Sequence, residues 1–152
     1  MASRRRQLLD ALVTRVTAIQ VANGFHTDAG ELVFWGGAGT LGPDDPETAI
    51  AIVVGDDDAS HQGVNLVVVL PVEIQILVRV TDADPAAAGA AIEDGIEDIK
   101  RAVELADRRF GGLLTTDLER GETRALAREE GSTSVGAGIT YRAGIVEGWG
   151  QP

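Results

Sequence analysis

The sequence predicts an α+β fold in which an antiparallel or mixed β-sheet carries two main helices packed on one face. Two segments repeat apolar residues with a helical period, and strand patterns come in runs between and after them. The chain has 152 residues, of which 44% are hydrophobic, enough for one domain with a buried core. We therefore expect a single domain over residues 1–152, with a flexible N-terminal few residues and a flexible C-terminal tail.

Two stretches have apolar residues at spacings of three and four, as amphipathic helices do. The first covers residues 4–22, and Gly24 suits the left-handed conformation that ends helices. In the second, Asp84 is a good N-cap and Pro85 fits the first helical turn, while residues 110–112 end the pattern. The apolar positions that define the two buried stripes are Leu9, Leu12, Val16 and Ile19, and Ile92, Ile96, Ile99 and Val103.

Five segments have strand patterns. The clearest runs from residue 64 to residue 80, as one strand or as two joined at Pro71, because apolar and polar residues alternate from Val72 onward. The others are residues 31–35, 48–54, 113–119 and 133–146. Three substantial loops are predicted at residues 36–46, 55–63 and 120–131. Long loops in a small domain are commonly functional, so these three are candidate binding segments.

The charge balance of the chain limits its partners. The formal net charge is −11 and the pI is about 4.5, so binding along a nucleic-acid backbone, which depends on Lys and Arg, is not expected. The one basic cluster, Arg4 to Arg6, either contacts an acidic partner or is the solvated start of the first helix. The longest apolar run, residues 66–72, is too short to span a bilayer, and no signal peptide is recognisable. We expect a soluble protein, cytoplasmic at synthesis.

The stretch GDDDASHQG, residues 55–63, has two interpretations. Asp56, Asp57 and Asp58 could bind a metal ion together with His61, which would make the protein a small metal-dependent hydrolase. However, the three acids are consecutive, no late carboxylate follows them, and the other histidine, His26, lies in a separate segment. A solvated turn between two strands needs no added assumption. We therefore predict a turn and no metal site.

No other motif predicts catalysis or a cofactor. GGAGTLG, residues 36–42, is followed by PDDP rather than by a lysine and a helix, so it is not a phosphate loop. No serine lies in a nucleophile elbow, and the chain has no cysteine for a thiolate zinc site or a nucleophile. Gly136, Gly138 and Gly144 share one face of the last strand, which indicates either the close approach of another element or a bulge. We predict a binding protein rather than an enzyme.

The order of these segments resembles the tail terminator proteins of long-tailed bacteriophages and phage-like particles, also called minor tail protein U or tail completion proteins. The resemblance begins with the opening helix RRRQLLDALVTRVTAIQVANGF and a Pro-Asp-Asp-Pro segment before a strand. It continues with PVEIQILVRV, which runs into DADPAAAGAAIEDGIEDIKRAVE, then FGG and LLTTDLERGE. The final strand VGAGITYRAGIVEG completes it. The similarity therefore lies in arrangement across nearly the whole chain.

This resemblance implies a virion protein at the head-proximal end of the tail, assembled in the host cytoplasm. Six subunits would form a ring that caps the tail tube, stops its polymerisation and joins the head or neck. Its partners would be other copies, the tail tube protein and a neck or head-completion protein, and DNA would pass through the lumen without specific binding. A neck or head-closure adaptor ring is the alternative within this class. We predict that subunit or partner contacts involve Arg4, Arg5, Arg6, Trp35, Asp44, Asp45, Asp56, Asp57, Asp58, His61, Arg124, Arg128 and Arg142.

Overall fold

The computed structural model describes residues 3–35, 41–62, 65–80, 85–128 and 132–148. Within these residues the chain forms two α-helices and a six-stranded sheet, with strand order β1-β2-β4-β6-β5 and β3 paired with β4. β1 runs parallel to β2 and the other described pairings are antiparallel, so the predicted α+β fold with a mixed sheet is confirmed. The elements are α1 (Arg4–Thr17), β1 (Val33–Trp35), β2 (Thr48–Val54), β3 (Asp58–Gln62), β4 (Asn65–Arg79), α2 (Pro85–Glu104), β5 (Glu119–Ala125) and β6 (Ser134–Gly148).

The first helix is shorter than predicted. Ser3 caps it by accepting a hydrogen bond from the backbone N–H of Arg6 at 3.1 Å, but the helix ends at Thr17 rather than at residue 22. The chain then turns, and the carbonyl of Ile19 accepts a bond of 2.8 Å from the N–H of Gly30. Gly24 does adopt a left-handed conformation, with φ of 88°, but it ends a separate 3-10 turn. Tertiary hydrogen bonds therefore replace the last predicted helical turn.

The second helix packs closely on the sheet. A β-carbon added at Gly95 would lie 2.4 Å from Cγ1 of Ile76, so the helix approaches β4 more closely than any residue with a side chain would allow. Ile99 and Val103 are fully buried on the same side, as the helical repeat predicts. The predicted N-cap, Asp84, lies outside the described residues. The helix ends at Glu104, before the predicted end at residues 110–112, where the chain makes turns instead.

Proline 71 does not divide the long strand, but it does interrupt the neighbouring one. β4 is continuous from Asn65 to Arg79, and β2 pairs with its second half and β3 with its first half. Between them the N–H of Gly55 donates to the carbonyl of Pro71 at 2.8 Å, and Pro71 has no N–H to return the bond. Three residues, 55–57, here oppose two on β4, which forms a bulge. The predicted loop 55–63 is therefore a bulge followed by a strand.

The fifth strand lies where a loop was predicted. Residues 113–119 were expected to form a strand because of their apolar residues, yet they form turns and irregular chain, with Leu114 and Leu118 buried. β5 instead covers Glu119–Ala125, and all seven of its residues are exposed. Pairing with β6 creates this strand, whereas its own residues have no buried face. The pattern of hydrophobic residues could not reveal it.

The two faces of the sheet are covered unequally. Both helices pack on one face, where Leu12 of α1 and Ile99 of α2 share a core with Ile74 of β4 and Ile139 of β6. We call the opposite side the open face. One end of the open face is covered by a second apolar cluster, formed by Leu41, Ala49, Ala51 and Leu77 with the partly buried Leu32, Phe34 and Leu126. The rest of the open face has no helix over it within the described residues.

A buried carboxylate connects the segment after α1 to α2. Asp98 is fully buried, and its two oxygens accept bonds from the N–H of His26 at 2.9 Å and the N–H of Thr27 at 2.8 Å. The hydroxyl of Thr27 donates a third bond at 2.8 Å. A buried carboxylate is stable only while such donors satisfy it, so Asp98 holds the backbone of His26 and Thr27 against α2. This interaction fixes the turn between α1 and β1.

Candidate interaction surface

One of the three arginines at the start of α1 contacts the acidic bulge, and a second contacts β1. Arg5 forms an ion pair with Asp57, with 3.3 Å between Nη1 and Oδ2. Arg6 pairs with Asp10 at 3.0 Å, and its guanidinium carbon lies 5.5 Å from the ring centre of Trp35. The structure thus brings together four of the predicted contact residues, from α1, β1 and the bulge.

These contacts neutralise much of the basic cluster. Asp57 and Asp10 compensate Arg5 and Arg6, and both ion pairs are substantially exposed to solvent. Exposed pairs of this kind contribute about 0–1 kcal/mol, so they position side chains more than they stabilise the fold. Arg4 is only half-exposed and follows Ser3 at the start of α1. The corner is therefore mixed in charge, with the half-exposed Trp35 beside it.

The acidic run does not converge on one point. Asp56 and Asp57 lie in the bulge, while Asp58 lies in β3, opposite Val69 of β4. His61 lies further along β3, opposite Leu66. Within the described part of the chain, no three His, Cys, Asp or Glu residues are grouped as metal ligands would be. The aspartates are exposed, and the described contacts engage Asp57 only with Arg5.

The middle of the open face carries a two-bonded ion pair. Arg124 of β5 donates from Nε to Glu73 Oε2 at 2.9 Å and from Nη2 to Oε1 at 3.1 Å. The amide of Gln75 donates to the same carboxylate at 2.6 Å, and the Glu73 side chain is only 13% exposed. A paired arginine fork is more rigid than a single contact. Arg124 thus links β5 to β4 across β6.

The glycines of β6 make room for the chain's own residues. A β-carbon added at Gly138 would lie 2.7 Å from Cδ of Glu73, and one at Gly144 would lie 2.7 Å from the hydroxyl of Thr115. At Gly136 it would lie 2.4 Å from the carbonyl oxygen of Ile76. The close approach predicted from these glycines is therefore present, and the elements that approach belong to the same chain.

The remaining predicted contact residues lie apart from one another. The side chain of Asp45 accepts a bond from the N–H of Gly42 at 2.7 Å, while Asp44 is exposed beside it. Arg128 donates twice to the carbonyl of Ser132, at 3.1 and 2.9 Å, and both residues lie between β5 and β6. Arg142 is exposed on the open face, between Pro71 and Glu119 in register. Residues 36–40 lie outside the described residues.

Sequence reasoning missed the exposed apolar residues. On the open face, Val53 is 36% and Val69 is 38% exposed, and Val67, Pro71 and Val146 are partly exposed on the same face. We call these five residues the valine strip. On the helix side, Leu105 is 78% and Val21 is 55% exposed. In the alternation of β4, the valine strip lies on the face opposite to the buried Val72 and Ile74, so the sequence did contain the signal. It did not show that, within the described residues, no helix lies over this part of the open face.

A second group that the sequence did not reveal lies at the end of α2. The hydroxyl of Tyr141 donates to Glu104 Oε2 at 2.9 Å, and Arg108 and Arg120 pair with the same carboxylate at 3.2 and 3.6 Å. Burial raises the pKa of Tyr141 well above its ordinary value, and the hydrogen bond to Glu104 adds to this. Nearby, Arg15 stacks on Phe110, 3.6 Å from the ring centre, and donates to the carbonyls of Val103 and Asp107. These groups join α1, α2, β5 and β6.

A small cavity of about 190 Å³ lies between the start of α2 and the ends of β2 and β4. Alanine side chains at 87, 88 and 91 line it together with Glu47 and Arg79, and it holds no nucleophile paired with a base. None of the described helices combines the length and the apolar composition that crossing a membrane requires.

Comparisons with known proteins identify a shared fold. No protein-family model matches the sequence, and no curated protein matches it. Among solved structures, the fold is similar to that of a chain in the virion of a native gene transfer agent particle. The two share 17% sequence identity with a TM-score of 0.58, and the match covers 91% of this chain and 93% of that chain. The whole domain, rather than one motif, has the architecture of that virion chain.

Proposed function

We propose that this protein is a structural component of a phage-like virion, and that it acts as the tail terminator. In this role the subunits form a ring on the last layer of the tail tube, which stops the tube from growing and provides the surface that joins the head. The observation that carries the proposal is the fold shared with a chain of a gene transfer agent virion over 91% of the sequence. The tail terminator role itself rests on the arrangement of sequence segments.

The chemistry of the surface supports a role in assembly. Several described charged residues form ion pairs within the subunit, as Arg5 with Asp57 and Arg124 with Glu73 do. Among the described residues, no three His, Cys, Asp or Glu side chains are grouped as metal ligands would be. The one candidate for metal-dependent hydrolysis, Asp56 to Asp58 with His61, lies along a bulge and a strand, with Asp57 paired to Arg5. Recognition without a reaction is the function that this geometry favours.

A ring requires two different patches on each subunit, because each copy contacts its neighbours in a head-to-tail manner. The two-layer fold supplies two dissimilar outer surfaces, a helix layer and an open sheet face. The net charge of −11 suits a lumen through which DNA passes without binding. We place the predicted contact residues Arg4, Arg6, Trp35 and Arg142 among the groups available to neighbouring copies, the tube or the neck.

The length of the tail tests this function. The gene is deleted in a cell that produces the particle, and tails are measured by negative-stain electron microscopy, with the gene restored on a plasmid as the control. Loss of a terminator gives headless tubes of variable and excessive length, and restoring the gene brings back one length. Tails of normal length without heads would contradict the terminator role and indicate a neck adaptor. Normal particles would contradict both.

A further inference from the structure

Two apolar features of the described surface lie on different layers of the fold: the valine strip on the open face, and Leu105, the most exposed of the large apolar side chains described. Leu105 directly follows α2 and is 78% exposed. Val53 and Val69 are each more than one-third exposed on the open face. Glu73 is in register with Val53, and Gly144 and Asp58 are in register with Val69. Contiguous exposed apolar groups rimmed by charge are typical of protein contact sites.

The two surfaces lie on opposite layers of the fold. Val67, Val69 and Pro71 alternate along β4 with Val68, Leu70 and Val72, which are buried beneath the helices. The strip is therefore on the open face. Leu105 is on the helix layer, one turn beyond Arg101, whose side chain donates to the carbonyl of Gly24. A contact between these two surfaces in one subunit is impossible, since the sheet separates them.

Charges of opposite sign lie beside the two surfaces. Residues 100–109, KRAVELADRR, contain four basic and two acidic side chains. Arg108 pairs with Glu104 and Arg109 with Asp117, so the segment together with Asp117 keeps a small net positive charge, in a chain whose net charge is −11. On the β3 side the valine strip is bordered by the acidic run: Asp58 lies opposite Val69 on the same face, and Asp56 is exposed in the adjoining bulge. On the β6 side Arg142 lies in register with Pro71. Copies of an acidic protein repel each other in most orientations, so an orientation that joins a basic segment to an acidic one is favoured.

We infer that the valine strip of one subunit binds a second copy at the Leu105 surface, which consists of Leu105 and the exposed residues of segment 100–109, with Asp56 and Asp58 facing that segment. The contact joins unlike patches, so it is head-to-tail and repeats from copy to copy, as a ring requires. This inference rests on the proposed function for the closure of the ring. It also gives the acidic run GDDD a role, as the charged border of an apolar contact.

Two glutamate substitutions test the contact. Val69→Glu damages the strip and Leu105→Glu damages its partner surface, and both positions are exposed enough for the subunit to remain folded, which circular dichroism verifies. Thr123→Glu on β5 and Ala90→Glu on α2 are the matched controls, because both positions are exposed and lie outside the two surfaces. Multi-angle light scattering gives the mass of each protein over a range of concentrations.

We expect the wild type and both controls to assemble, whereas Val69→Glu and Leu105→Glu each raise the concentration for half-assembly by about 100-fold. A mixture of the two defective variants should form a species of two subunits and stop there. Each variant keeps one intact patch, and the pair that forms has only damaged patches left over. A contact between two identical patches would not produce this result.

Four results would overturn the inference. Assembly of both variants like the wild type would leave the ring but place its contact elsewhere. Loss of assembly in Val69→Glu alone would indicate a sheet-to-sheet contact, and a mixture that stays at the mass of single subunits would exclude head-to-tail pairing of these patches. A wild-type protein that remains a single subunit at every concentration also overturns the contact. In all these cases the tail-length assay still decides the proposed function.

Discussion

Two glycines of α2 differ in surroundings, and alanine substitutions there should change stability in opposite directions. An added β-carbon at Gly89 meets no atom within 4 Å, whereas at Gly95 it would lie 2.4 Å from Cγ1 and 2.7 Å from Cδ1 of Ile76. Glycine within an exposed helix costs about 1 kcal/mol relative to alanine. Gly89→Ala should therefore raise the free energy of unfolding by about 1 kcal/mol.

The same helical gain applies at Gly95, but the contact with Ile76 outweighs it. Ile76 is fully buried in the central strand β4, so it cannot rotate into solvent, and the helix must move away from the sheet. Overpacking of this kind costs about 2–3 kcal/mol, which leaves Gly95→Ala about 1–2 kcal/mol less stable than the wild type. For a domain of this length, melting temperatures should rise by about 3 °C for Gly89→Ala and fall by about 3–6 °C for Gly95→Ala.

Thermal and urea unfolding of the wild type and the two variants under one buffer condition provide the measurement. Because both substitutions are chemically identical and lie in one helix, each variant controls for the other. Equal stabilisation by the two alanines would refute the reasoning, since it would mean that α2 does not approach β4 at Gly95. A loss of stability in Gly89→Ala would refute the inference that a side chain at position 89 points into solvent.

Four further predictions concern single groups. Burial raises the pKa of Tyr141, the one tyrosine, so its neutral form stabilises the fold below about pH 10, and this contribution is lost as the pH rises further. Phenolate absorbance should therefore appear together with the loss of circular dichroism. A phenolate step at about pH 10 in folded protein would contradict this prediction. Asp98→Ala should lower the free energy of unfolding by about 3–5 kcal/mol, because three donors lose their buried acceptor. Asp98→Asn should lower it by an intermediate amount. A change below about 1 kcal/mol in urea unfolding would exclude the buried interaction. Changing Asp56, Asp57 and Asp58 together to Asn should alter the free energy of unfolding by about 1 kcal/mol or less, since all three are exposed and the Arg5–Asp57 pair is weak. A loss of several kcal/mol together with the release of a bound ion would instead support a metal site. Ile99→Asp should abolish the cooperative thermal transition, because it puts a charge into the helix–sheet core, and an unchanged transition would remove α2 from that core.

The sequence predicted those elements whose own residues carry a buried pattern. β2 was predicted with its observed bounds, and the alternation in β4 and the helical repeat in α2 each indicated the right face. β5 could not be predicted, since its seven residues are all exposed and its existence depends on pairing with β6. The end of α1 was wrong for a similar reason: a hydrogen bond from Gly30 to Ile19, eleven residues away, replaces the helical bonds.

The candidate site was less predictable because its contacts join distant parts of the chain. Arg5 and Asp57 are 52 residues apart, and Arg124 and Glu73 are 51 apart, so no spacing in the sequence could pair them. Arg5, Asp57 and Arg124 were predicted to contact partners; within the subunit Arg5 pairs with Asp57, and Arg124 pairs with Glu73, which was not among the predicted contact residues. The exposed Val69 and Leu105 look like core residues in the sequence, and only the packing of the two layers leaves them outside.

The central claim, that this chain forms a ring at the end of a virion tail, is tested most directly by a reconstruction of the particle by electron cryo-microscopy. The proposal predicts a ring of six copies of this α+β subunit between the last layer of the tail tube and the neck. Particles that contain no density for this fold, or that carry it elsewhere than at the head-proximal end of the tail, would contradict the proposal.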